Sequence, residues 1–192
     1  APPGLQWEIA GYSRVFADME ELLIKGQLFS LWGALLLIFI LMLLLWRSLG
    51  SALLCMIPNL SPILLIFIVM GLFGLWLDMA TAMIASVAVG IAVDDTIHVY
   101  NGYISRVKAG VPPVQALART YSYAGRAVVT TTFILSAQFM ILISSSFQPT
   151  SHFGLLTSIG LWAALVFDLL LLPAIIMLLT ALNTGVTRQK TA

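Results

Sequence analysis

Five long apolar stretches, approximately residues 29–46, 51–76, 79–102, 127–146 and 154–181, constrain this chain more than any other feature. Each approaches or exceeds the about 20 helical residues needed to cross a hydrocarbon layer about 30 Å thick. Open strands are excluded at that depth, because lipid cannot satisfy their backbone groups. A β-barrel would show short alternating segments rather than blocks of Leu, Ile and Val. The sequence therefore predicts an all-α membrane protein with five transmembrane helices. Composition agrees: 60% of residues are hydrophobic and 9% are charged, against about 25% charged in a soluble domain.

The same numbers exclude several functions. A net charge of +1, with the Lys and Arg residues in short clusters beside apolar segments, forms no basic stripe, so no nucleic-acid partner is expected. Cys55 is the single cysteine and lies in an apolar run, so neither an intrachain disulfide nor a cysteine metal cluster can be built. The chain opens on Ala1 without a basic leader and cleavage site, which reads as a piece of a longer polypeptide.

Lys and Arg in short loops set the orientation. Arg47, then Arg106, Lys108, Arg119 and Arg126, then Arg188 and Lys190 fall on one side when the spans alternate, with Arg14 and Lys25 on the other. The C-terminus and the tail 183–192 are then expected to be cytoplasmic, and residues 1–28 outside. Trp32 and Trp76 near outer ends, with Trp46, Tyr100, Tyr103, Tyr121 and Tyr123 near inner ends, suit aromatic belts. Val15, Phe16, Met19, Leu22 and Leu23 recur at helical spacing and predict an amphipathic lead-in to the first span. Within 104–125, Pro112 and Pro113 open a short interfacial helix that Gly125 ends.

The third span carries the chemistry. Asp94 and Asp95 are adjacent carboxylates inside an apolar helix, and one charge near the bilayer centre costs about 2.5–3.5 kcal/mol on insertion scales. Such a pair is expected to hold a proton and to titrate as one coupled unit. Ala82, Ser86, Gly90, Asp94 and His98 follow at i, i+4 spacing, so one face is small and then polar. His98 is either a relay toward the cytoplasm or a solvated interfacial histidine. At 1.5 Å per residue, Asp94 lies roughly 12 Å from the inner end of its span, while Thr130, Thr131 and Thr132 lie about 5–8 Å into the fourth. Those hydroxyls can donate to the carboxylates or to their own helix. Asp168, about 20 Å from the outer end of the fifth span and so in the inner half, is a third intramembrane acid. It is a candidate relay residue or a structural hydrogen-bonding group. Asn59, between Pro58 and Pro62, marks either unwound backbone lining a cavity or a kink with a polar contact.

These residues bring a family into view. The chain resembles the resistance-nodulation-division (RND) superfamily, in its branch of MMPL-like exporters and sterol-sensing-domain, Patched-like proteins. The resemblance rests on Gly26-Gln27, Trp46-Arg47-Ser48, Ile57-Pro58-Asn59, Leu77-Asp78 with Thr81-Ala82, Gly125-Arg126, Phe153-Gly154 and Asp168 through Pro173-Ala174. Its most specific string is Gly90-Ile-Ala-Val-Asp94-Asp95-Thr-Ile-His98. The resemblance implies the last five spans of the C-terminal half-transporter, preceded by the end of an extracytoplasmic domain, in a cell inner (plasma) membrane.

It further implies proton-driven export of lipid or another hydrophobic substrate, with Asp94 and Asp95 loading and releasing protons and Thr131 as the nearest match to a supporting hydroxyl. The energy source would be the proton gradient, with no cofactor. The partners would be membrane lipid, the N-terminal half of the same polypeptide and a possible homo-oligomer. Drug-efflux members place a lysine opposite the carboxylates, whereas no Lys or Arg lies between Arg126 and Arg188, which favours the lipid-handling branch. A sterol-sensing-type module that binds lipid without pumping is the alternative. An intramembrane aspartyl protease using Asp94 and Asp168 is a third reading, against which the Gly-x-Gly-Asp signature is missing.

Overall fold

The computed structural model of the chain describes residues 12–75 and 79–190, apart from the side chains of residues 12, 13, 16, 79 and 182–190. Residues 1–11, Trp76 of the expected outer belt, the Leu77-Asp78 pair and the side chains of the tail lie outside the described residues, as does the side chain of Phe16 in the lead-in.

The described chain is helical from end to end, with no strand among the described residues: α1 (Tyr12–Trp46), α2 (Leu49–Phe73), α3 (Met79–Lys108), α4 (Pro113–Thr120), α5 (Arg126–Ile141), α6 (Gln148–Val166) and α7 (Leu172–Lys190). Two π turns, Tyr121–Gly125 and Phe167–Leu171, weld α4 to α5 and α6 to α7. The result is five membrane-length helices, Ala17–Trp46, Leu49–Phe73, Ala80–Lys108, Pro113–Ser144 and Gln148–Ala181. The chain is a multi-pass membrane protein.

Local chemistry explains the joints. Arg47 takes a left-handed conformation (φ 49°) between α1 and α2. Ser48 then caps α2, its hydroxyl accepting from the Ser51 backbone N–H at 3.3 Å. Gly74 closes α2 at φ 62°, with its N–H bonded to the Met70 carbonyl, a conformation glycine adopts without a Cβ penalty. Pro113 starts α4, where its missing N–H costs nothing.

Three expectations need correction. Pro58 and Pro62 do not unwind the second span, because α2 runs unbroken through both. Membrane helices tolerate proline, and the Asn59 side chain stays on its own helix, its Nδ2 donating to the Cys55 carbonyl at 2.7 Å. Gly125 does not end the interfacial stretch; it lies inside a π turn and is buried. A Cβ there would stand 3.5 Å from Tyr121 and 3.9 Å from Leu169, ordinary contact distances, which places Gly125 at the seam between the two π turns. The inner aromatics divide in the same way. Trp46 and Tyr100 meet edge to face at 4.7 Å, and the Tyr100 hydroxyl donates to Ser51 Oγ at 2.8 Å. They pack the bundle, while Tyr123 and Trp32 face outward.

α3 runs through the centre, packed on α1, α2 and α6, and α5 reaches the bundle through α6. The larger apolar core gathers Met42, Cys55, Val99 and Leu172, and a smaller one holds Ile66, Ile84, Ala88 and Leu156. Val15, Met19 and Leu22 on the lead-in turn of α1 are exposed. At the far end of α3, Arg106 Nη1 donates to the Gly102 carbonyl at 2.8 Å and to Thr120 Oγ1 at 3.3 Å, which holds α4 against α3.

α5 and α6 approach most closely at Gly154, where a Cβ would lie 2.6 Å from the Phe139 carbonyl oxygen and 2.7 Å from Leu142 Cβ. At Gly160 a Cβ would also meet an atom at 2.6 Å, but that atom is the end of the Ile66 side chain. Backbone cannot step aside as a side-chain tip can. We therefore expect Gly154→Ala to lower stability by about 1–3 kcal/mol and Gly160→Ala to cost less, as read from thermal unfolding in detergent. Equal losses would contradict the close α5–α6 crossing.

Candidate functional site

Successive residues on an α-helix are rotated by roughly 100°, and three consecutive residues of α3 use that rotation. Asp94 points out of the bundle, with its side chain 75% exposed. Asp95 is half-buried and Thr96 is fully buried. The acidic pair predicted from sequence is thus split between two environments. Asp94 pairs with His98, Nε2 to Oδ1 at 3.5 Å, on the same outward face. Of the small-then-polar face, Ala82 is buried, Ser86 is partly covered, and Gly90, Asp94 and His98 are exposed. A Cβ at Gly90 would meet nothing within 4 Å.

The inward face is a polar junction of three helices. Asp168, 1% exposed, sits in the π turn between α6 and α7. Thr96 Oγ1 lies 2.7 Å from Asp168 Oδ1 and 3.2 Å from Asn59 Oδ1, while Asp168 Oδ2 has no hydrogen-bond partner. Asn59 and Thr96 are both fully buried. Asp95, directly before Thr96 on α3, is the other carboxylate that bears electrostatically on Asp168. A π turn inserts a residue and releases a main-chain carbonyl from the helical ladder. The Tyr121 hydroxyl donates to the Asp168 carbonyl at 2.6 Å, so the first π turn braces the second.

Sequence reasoning placed Asp168 in the inner half of the membrane and left its partner open; Thr96 is that partner. It missed Thr96 and Tyr121, and read Asn59 without a partner. The available signals were a hydroxyl directly after Asp95 and a lone amide between two prolines. Thr131 stands apart: it is exposed, and its hydroxyl closes on its own helix, 3.1 Å from the Ala127 carbonyl and 3.0 Å from that of Val128. Thr130 likewise donates to the Arg126 carbonyl at 2.8 Å. An i−4 carbonyl is always within reach of a helical threonine, which explains both. Thr132 and Ser136 are buried instead. Asp94 and Asp168 open on different sides of α3, so they do not present the facing acids an aspartyl protease needs. Among the described residues no group of His, Cys, Asp or Glu could hold a metal ion.

The sequence matches the MMPL family over residues 1–191. The chain belongs to the MMPL family. A protein of Methanocaldococcus jannaschii named as a membrane protein is 29% identical over 177 residues, which is 92% of this chain and 46% of that relative. This MMPL chain therefore spans about half the length of the curated relative it matches.

In this MMPL bundle the Tyr121 hydroxyl is the donor that the structure supplies to the Asp168 main-chain carbonyl. Tyr121→Phe keeps the ring and leaves a buried acceptor unsatisfied, at about 1–3 kcal/mol. A drop in unfolding temperature of the purified protein, with the helical circular-dichroism signal preserved, is the expected result. An unchanged temperature would mean that the π turn at Asp168 needs no brace.

Proposed function

We propose that this chain is the membrane half of a proton-motive-force-driven transporter that exports or transfers lipid or another hydrophobic substrate. The observation that carries the reading is the outward face of α3. Asp94 and His98 are exposed on a helix whose length and composition suit a membrane span. Ionisable side chains inside membranes face a bundle interior or a water-filled cavity. A second helical half packed against α3 about a pseudo-two-fold axis supplies that cover, as repeat-built transporters commonly do. The chain's share of its relative's length leaves room for such a half.

In this reading Asp94 and Asp95 load and release protons, His98 passes them toward the cytoplasm, and Asp168 is a further relay carboxyl behind them. Thr131 joins only by giving up its bond to its own helix. The C-terminus is cytoplasmic in an inner (plasma) membrane, and the substrate path lies in the extracytoplasmic portion. The proton gradient supplies the work, so the chain itself is a transporter and not an enzyme. MMPL membership supports handling of hydrophobic cargo, as does the lack of Lys and Arg between Arg126 and Arg188.

The test is proton uptake into liposomes holding the full-length polypeptide. Asp94→Asn and Asp95→Asn, at equal expression and folding, should each abolish uptake. Unchanged uptake in both variants would make the pair structural and pass the lead to a lipid-sensing module that does not pump.

A further inference from the structure

The polar junction on the inward side of α3 contains a counting problem in donors and acceptors. Asn59 Nδ2 donates to the Cys55 carbonyl at 2.7 Å, which turns Asn59 Oδ1, an acceptor only, toward Thr96 at 3.2 Å. Thr96 Oγ1 also lies 2.7 Å from Asp168 Oδ1, the usual length of an O–H···O bond. A hydroxyl carries a single proton and so can donate to one of these oxygens but not to both. If Asp168 is ionised, one contact joins two oxygens with no hydrogen between them. If Asp168 carries the proton, every contact has one: Asp168 donates to Thr96, Thr96 donates to Asn59, and Asn59 donates to the Cys55 carbonyl.

The surroundings favour the second arrangement. Asp168 Oδ2 is buried and unpartnered, a position that leaves an ionised carboxylate poorly solvated. Among the described residues, the titratable groups that bear electrostatically on Asp168 are the Cys55 thiol from α2, the Asp95 carboxyl from α3 and the Tyr121 phenol from the first π turn. None of the three is a cation. Among the described residues, none of the ion pairs involves Asp168.

We infer that Asp168, Thr96 and Asn59 form a built-in proton-binding site inside this half of the bundle, separate from the outward Asp94 and holding one proton in the conformation seen. Thr96 is its positioning residue. Turned toward Asn59 it accepts from a protonated Asp168, and turned toward Asp168 it stabilises the ionised form and leaves the Asn59 oxygen without a donor. Thr96 directly follows Asp95 on α3, so a rotation of α3 that moves Asp95 also moves the hydroxyl that decides where the inner proton sits. The use of that proton rests on the transport reading above; its presence does not.

Infrared spectroscopy of the full-length protein in liposomes at neutral pH tests the inference through the carbonyl stretch of a protonated carboxylic acid, identified by its shift in D2O. That band should disappear in Asp168→Asn, whose amide can donate to Thr96 as the acid does, and should persist in Asp94→Asn and Asp95→Asn. Thr96→Val, which keeps Asp168 but removes its acceptor, should move the band to higher frequency, and Thr96→Ser should restore it. The Thr96 variants keep the test open if Asp168→Asn fails to fold. A spectrum unaltered by Asp168→Asn, or a band indifferent to Thr96→Val, overturns the inference. Proton uptake in the Asp94 and Asp95 variants is read separately, so failure of the inner site leaves the transport reading standing, and the converse also holds.

Discussion

The contact between the Thr96 hydroxyl and the Asp168 carboxyl, 2.7 Å long and sealed from solvent, is the interaction on which the inner half of this bundle is organised. In an apolar interior a polar group without a partner costs more than a hydrogen bond gains, so such groups must find one another. Asn59 on α2, Thr96 on α3 and Asp168 between α6 and α7 do so, and three helices are registered against each other as a result. The two π turns follow from the same need. One places Asp168 toward α3 and frees a carbonyl, and the other brings the Tyr121 hydroxyl to it.

α3 divides the molecule into a face that is complete and a face that is not. On the inward side Asn59, Thr96 and Asp168 contact one another, and apolar residues close around them. On the outward side Asp94 and His98 pair with each other at 3.5 Å, beside the bare backbone of Gly90. A single residue step of about 100° separates the two conditions, with Asp95 on the boundary. An arrangement of this kind suits a component whose outer polar face belongs to an interface. Its inner polar cluster can then respond to movement of the helix they share.

Much of the architecture was legible in the residues. The apolar blocks mark five spans because hydrocarbon demands continuous helices, and the proline pair at 112 and 113 marks the start of α4 because proline suits a first helical turn. Local rules failed where a distant partner overrode them. The two prolines of α2 look like a break, yet the segment runs helical through both. Gly125 looks like a helix end, yet it lies buried inside a π turn. Tyr100 and Tyr121 look like interfacial belt residues, yet both spend their hydroxyls inside the bundle.

The sequence by itself determined that this chain is a helical membrane protein, which segments cross, and that acids occur at depth, because hydrophobicity and helical rise are properties of consecutive residues. It could not determine which acid turns inward. Adjacent positions on a helix differ by rotation rather than by depth, and rotation is set by how α3 packs on α1, α2 and α6. Only the tertiary structure decided that Asp94 faces out, that Asp168 is buried against Thr96, and that Asn59 completes the chain of contacts, since each partner comes from a different helix, far away in sequence.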